Sequence, residues 1–186
     1  MGPVGDAMDT YFDLGGYSFP VTTQSTEAQT WFDRGILWTY GYNHEEAVKC
    51  FERAIDADPK CAMAHWGAGY ASGPNYNMPW DLFDDAGRAA AARAGYAHAR
   101  KALDLIDGVT GWEAALIHAL PARHPQPDPL DPEAMKAWNT DFADAMRDVF
   151  ASHSERHEVR TVFAESLLNL TPWKMWDLPV SYTHLT

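Results

Sequence analysis

Cysteine is nearly absent. Cys50 and Cys61 are the only two in 186 residues, too few for a disulfide framework. They leave one disulfide open on paper, and a reduced, cytoplasmic chain fits the count equally well. Basic residues are scarce too: 14 Lys and Arg against 26 Asp and Glu give a formal net charge of −12. A uniformly negative field repels phosphate, and no run of Lys and Arg offers a local exception, so no nucleic-acid partner is expected. Long hydrophobic runs are missing as well. No uninterrupted apolar stretch approaches the roughly 20 residues of a membrane helix, so no membrane partner is expected. The first eleven residues carry Asp6 and Asp9 and lack the basic and apolar regions of a secretory signal; Met1 and Met8 are equally suitable starts. Hydrophobic residues are plentiful at 46%, with eight tryptophans, which excludes a disordered tail.

The informative pattern begins at Ala28. Trp31, Phe32, Gly35, Ile36 and Trp38 recur at helical spacing up to Tyr40. Gly41 then suits the left-handed residue after a helix C-terminus. Asn43 followed by Glu46 predicts a capping box, and Ala47, Val48, Phe51, Ala54 and Ile55 form the next apolar stripe, ending before Pro59. Trp31, Gly35, Ala47, Phe51, Ala54 and Pro59 fall at the offsets of a 34-residue tetratricopeptide repeat, which this segment resembles; Arg34 departs from the usual leucine. Small Gly35 and Ala47 would let paired helices approach, with Trp31 and Phe51 filling the seams.

Weaker copies follow. The expected organisation is an N-terminal extension (1–26) and a repeat domain (27–179). Its repeats span about 28–61, 62–109 with an insertion at 72–85, and 110–154 with a proline-rich loop at 121–132. A half repeat at 155–171 has no partner helix. Arg100 to Asp104 echoes Glu52 to Asp56 at a distance of 48 residues, so about fourteen residues have been added to that period. Loop closure makes such an addition inexpensive. The five prolines of 121–132 are expected to forbid a continuous helix. The fold class is therefore all-α, a superhelix of antiparallel helix pairs truncated at its C-terminus.

Two resemblances narrow this. The stretches 38–47, 61–67, 73–77 and 163–173 are similar to the N-terminal part of longer bacterial tetratricopeptide-repeat proteins; this implies the fold and no activity. Val180 to Thr186 resembles sequencing-adapter read-through, so the natural chain is expected to continue past about Pro179. On that expectation the last helix exposes Val162, Phe163, Leu167 and Leu170, with Trp173 and Trp176 beyond. The fragment would then self-associate through this uncapped end.

Function is expected in the groove formed by the first helix of each pair. Gln29, Phe32, Ile36 and Tyr40 belong there with Trp66 and Tyr70, and aromatics on such a face suit a peptide or a small apolar anchor. Several of them could instead pack against the insertion. Asn75 and Asn77 in the insertion are further ligand candidates; the alternative is that they shape the turns of an ordered, non-helical lid from Pro74 to Trp80. His44, Cys61 and His65 are the metal candidates, because Cys61 and His65 share a helix face four residues apart. Against this, Cys61 reads as a small buried residue, His44 as a first-turn residue and His65 as a packing histidine. His118, His124, His153 and His157 show no common spacing. No catalytic residues and no cofactor are expected. The leading reading is a scaffold for a protein or peptide partner; the alternative is a metal- or cofactor-dependent enzyme built into the full helical array.

Overall fold

The computed structural model describes residues 11–174, which form seven α-helices and no strand. The expected non-native tail, the two candidate start methionines and Trp176 lie outside the described residues. Helix α1 (Thr26–Tyr40) and helix α2 (His44–Ala57) form the first pair. The second pair is α3 (Ala62–Ser72) with α4 (Asp85–Asp104), and the third is α5 (Gly111–Arg123) with α6 (Pro132–His153). Helix α7 (His157–Leu168) packs on α6. Each pair folds back on itself, and α1, α3 and α5 also touch in turn.

The first pair follows its pattern closely. Ser25 caps α1 by accepting from the Ala28 amide, and Trp31, Gly35, Ala47, Phe51 and Ala54 are all buried. Phe51 is clasped between Gly35 and Gly67. A Cβ on Gly35 would come within 2.6 Å of its ring, and one on Gly67 would collide as well. The tight approach of α1, α2 and α3 therefore requires glycine at both places. Arg34 stands where leucine is usual because its guanidinium lies 4.5 Å over Trp31 and 4.6 Å over Tyr11.

Three local expectations change. Asn43 does accept from the Glu46 amide, but the Glu46 carboxylate turns away and accepts from the Tyr11 hydroxyl, so the reciprocal half of the box is replaced by a tertiary bond. The left-handed residue after α1 is Tyr42 (φ 59°), not Gly41 (φ −80°). The proline-rich loop shrinks to 124–131. Pro121 is absorbed into the last turn of α5, where its missing N–H forfeits one hydrogen bond, and Pro132 opens α6 at a position whose N–H has no helical partner anyway.

The insertion after α3 is a compact turn. Asn75 and Met78 bridge their backbones, and the Asn75 side chain accepts from the Asn77 and Met78 amides. Residues 74–79 are non-helical, and Trp80 opens a single 3-10 turn, Trp80–Leu82. Trp80 is buried against Phe83, Trp138 and His124, forming with Ala92 and Met135 a second small core between the insertion, α4 and α6. On α7 the expected apolar face divides. Val162 is fully buried and Phe163 stacks on Phe150 at 5.0 Å, so both face inward against earlier helices. Leu167, Leu170 and Trp173 remain exposed. Among the described residues no helix is long and apolar enough to cross a membrane.

Candidate functional site

The expected groove is largely filled by the chain itself. Residues 11–25 run without helix: Tyr11 packs on α1 and α2, and the stretch from Phe19 to Thr22 crosses the face made by α1, α3 and α5 as a strap. Phe19, fully buried, sits 5.4 Å from the ring of Phe32, 5.6 Å from Trp112 and 6.5 Å from Trp66. Gln29 brackets the segment's backbone: it accepts from the Val21 amide and donates to the Phe19 carbonyl. Asp33 accepts from the Phe19 amide, and Glu113 accepts from the Thr22 amide and hydroxyl. Burial holds the Asp33 carboxyl above its usual range. Phe32 and Trp66 are thus core residues beneath Phe19, and Ile36 is fully buried too, so these three are not an open ligand surface, a correction that follows from apolar rings being covered by the nearest apolar segment.

The same face stays open at its other end. Here a cavity of about 250 Å³ is lined by Thr39, Tyr40 and Tyr42, by His44 at the start of α2, by Tyr70 from α3, and by Thr161, Glu165 and Leu168 from α7. Tyr40 and Tyr70, expected ligand residues, meet there with His44, expected as a metal ligand. The Tyr70 hydroxyl donates to Glu165 Oε2 at 2.7 Å, and the Asn169 amide donates to Glu165 Oε1. Burial and then the Glu165 charge raise the Tyr70 hydroxyl well above its ordinary pKa, so it remains a donor. His44 Nδ1 lies 3.0 Å from the Ala71 carbonyl. A carbonyl only accepts, so Nδ1 carries the hydrogen and Nε2 is left as a bare acceptor. Burial lowers the His44 pKa and keeps the ring neutral. Tyr42, with its positive φ, presents a strained residue at this rim.

Behind the cavity stands a buried polar seam with no signal in the helical pattern. Arg123, 1% exposed, lies 4.9 Å over the Tyr70 ring and 5.0 Å over Phe142. It donates to the Pro74 carbonyl, and its Nη1 stands 3.9 Å from Glu165 Oε2. His124 is completely buried, with Nε2 2.9 Å from the Gly69 carbonyl; burial pushes its pKa down to about 3. Gly73 and Gly95 admit these two side chains: a Cβ on Gly73 would stand 2.6 Å from Arg123 Nε, and one on Gly95 would collide with the His124 ring. The recognisable signal was an Arg-His pair bounded by prolines, opposite a glycine-rich helix.

The remaining candidates lie elsewhere. Asn75 is buried and spent on its turn, while Asn77 is exposed and outside the cavity. His65 pairs with His98 across α3 and α4, Nδ1 to Nδ1 at 3.2 Å, and burial lowers its pKa to about 4. Cys61 is buried, and desolvation raises its thiol to about 11. No group of three His, Cys, Asp or Glu among the described residues could hold a metal ion, so His44, Cys61 and His65 do not form one. A larger cleft of about 440 Å³, between Trp80, Lys136, Asn139 and Trp173, contains none of the expected ligand or metal residues. Comparisons with family models, curated proteins and solved structures found no match to the chain.

Proposed function

We propose that the chain is a binding module of tetratricopeptide-repeat type, with α1, α3, α5 and α7 as the inner helices of a superhelical array. Its ligand, a protein segment or a small molecule, is held in the cavity of Tyr40, Tyr42, His44, Tyr70 and Glu165. The observation that carries this reading is the strap. The inner face already holds an extended stretch of polypeptide by an aromatic anchor, Phe19, and by side-chain bonds to its backbone from Gln29, Asp33 and Glu113. These are the means by which a groove grips a peptide. The cavity continues that face where the strap stops, and three inner helices converge on it.

The experiment is a chemical-shift map of the labelled chain against mixed short peptides and small amines, acids and amides. Saturable shifts confined to Tyr40, Tyr42, Tyr70 and Ala164 are expected. Shifts gathered at the Trp80 and Trp173 cleft, or no saturable shift anywhere, would refute the assignment.

A further inference from the structure

The cavity's chemistry narrows its ligand, provided that the binding reading above holds. Its polar groups are mostly acceptors. Glu165 Oε2 takes one hydrogen bond from Tyr70 and Oε1 takes one from Asn169, which leaves a free lone-pair site on each oxygen. His44 contributes the bare Nε2. Tyr40 and Tyr42 supply aromatic rings at the cavity wall, whereas the Tyr70 ring is already covered on its faces by Trp66, stacked at 5.1 Å, and by Arg123 at 4.9 Å, and offers the cavity only its edge. The guanidinium of Arg123 lies over one face of Tyr70, where it donates to the Pro74 carbonyl, and its Nη1 stands 3.9 Å from Glu165 Oε2, beyond hydrogen-bond distance. The whole chain, at −12, draws cations toward it.

We infer that this cavity takes a primary ammonium on an alkyl stem, as in a lysine side chain or a free alkylamine. An ammonium has three donors and no acceptor, so it matches a carboxylate and an imidazole nitrogen, and tyrosine faces attract its charge. Its four-carbon stem lies along Leu168, Ala164 and the rings. A volume of about 250 Å³ falls just below that of drug-sized sites and fits one such side chain. A carboxylate ligand would face Glu165, and a norleucine side chain would leave its acceptors dry and unpaired.

The test titrates the full chain with n-butylammonium, with an acetylated and amidated Gly-Gly-Lys-Gly-Gly peptide, and with its norleucine counterpart, followed by calorimetry and by the Tyr40, Tyr42 and Ala164 resonances. The lysine peptide is expected to bind at least about tenfold more tightly than the norleucine peptide, a difference of about 1.4 kcal/mol. Glu165→Gln should level the two while keeping an acceptor for Tyr70. Tyr42→Leu, at a half-exposed residue, should weaken the lysine peptide without affecting folding and serves if Glu165→Gln does not fold. Butylammonium binding as well as the lysine peptide would support a free amine as the source; binding of the peptide alone would support a protein lysine. Equal binding of lysine and norleucine peptides at these resonances would overturn the ammonium inference and leave the cavity's binding role standing. No response at these resonances to any probe would overturn both.

Discussion

Two seams of this molecule use one device to opposite ends. At the first, Gly35 and Gly67 open a slot for Phe51, and everything in contact is apolar. At the second, Gly95 and Gly73 open slots for His124 and Arg123, and the occupants are polar, buried and tied to backbone carbonyls. A ring in an apolar slot contributes burial and dispersion and nothing else. A buried imidazole or guanidinium must keep its hydrogen bonds, and it carries a dependence on pH and on neighbouring charge. The first seam therefore holds α1, α2 and α3 together, whereas the second supports the Glu165 cavity and couples it to the insertion through Pro74.

The largest effect should come from emptying the apolar slot. Phe51→Ala is expected to cost about 3–5 kcal/mol, read as a lower urea midpoint with unchanged slope. Next is overfilling it. Gly35→Leu drives a branched side chain into the Phe51 ring and should cost the upper part of the usual ~1–3 kcal/mol for overpacking. Combining Gly35→Ala with Phe51→Leu should cost less than the sum of the single changes, because the two residues share one volume. An unchanged midpoint for Gly35→Leu would mean that the helices do not meet there.

At the polar seam Gly95→Ala should cost about 1–3 kcal/mol, because His124 is anchored on the Gly69 carbonyl and has no free space to move into. It should also displace Arg123 and broaden the Tyr70 resonances, which Gly35→Leu should not do. A smaller effect separates the seams by pH. In the folded chain the pKa of His124 is lowered to about 3 and that of His65 to about 4, against 6.5 for the ordinary side chain. Their contribution is complete above pH 6.5. As the pH falls below 6.5 the unfolded chain takes up protons that the native state refuses, and stability declines down to the folded pKa values. Each histidine should therefore cost about 1 kcal/mol between pH 7.5 and 5.5. Urea midpoints at the two pH values measure this, and His124→Asn should shrink the difference while Phe51→Leu leaves it intact.

The two seams were also unequally legible. Helix periodicity and the offsets of Trp31, Gly35, Ala47 and Phe51 reveal the first pair because both halves of its contact lie within one repeat. Tyr40 and Tyr70 could be singled out as groove residues and His44 as a metal candidate or a first-turn residue, but nothing in their spacing joins them. Glu165 comes from a helix 95 residues after Tyr70, and only the folded chain brings the two together. In the sequence Phe32, Ile36 and Trp66 point to a groove, because a helical pattern is blind to the non-helical residues 11–25, which carry Phe19 onto that face. Pro121 misleads for a related reason: a proline in a final turn forfeits only one hydrogen bond, and α5 runs through it to Arg123.

The most direct test of the division of labour is native-state amide exchange across the whole chain at pH 7.5, with and without the lysine peptide. Amides of α1, α2 and α3 around Phe51 should open only with global unfolding. Those of α7 and residues 73–79 should open at lower free energy, and the peptide should slow exchange in these alone. Uniform protection throughout, or slowing by the peptide that spreads over the Phe51 seam or the Trp80 cleft, would contradict the account.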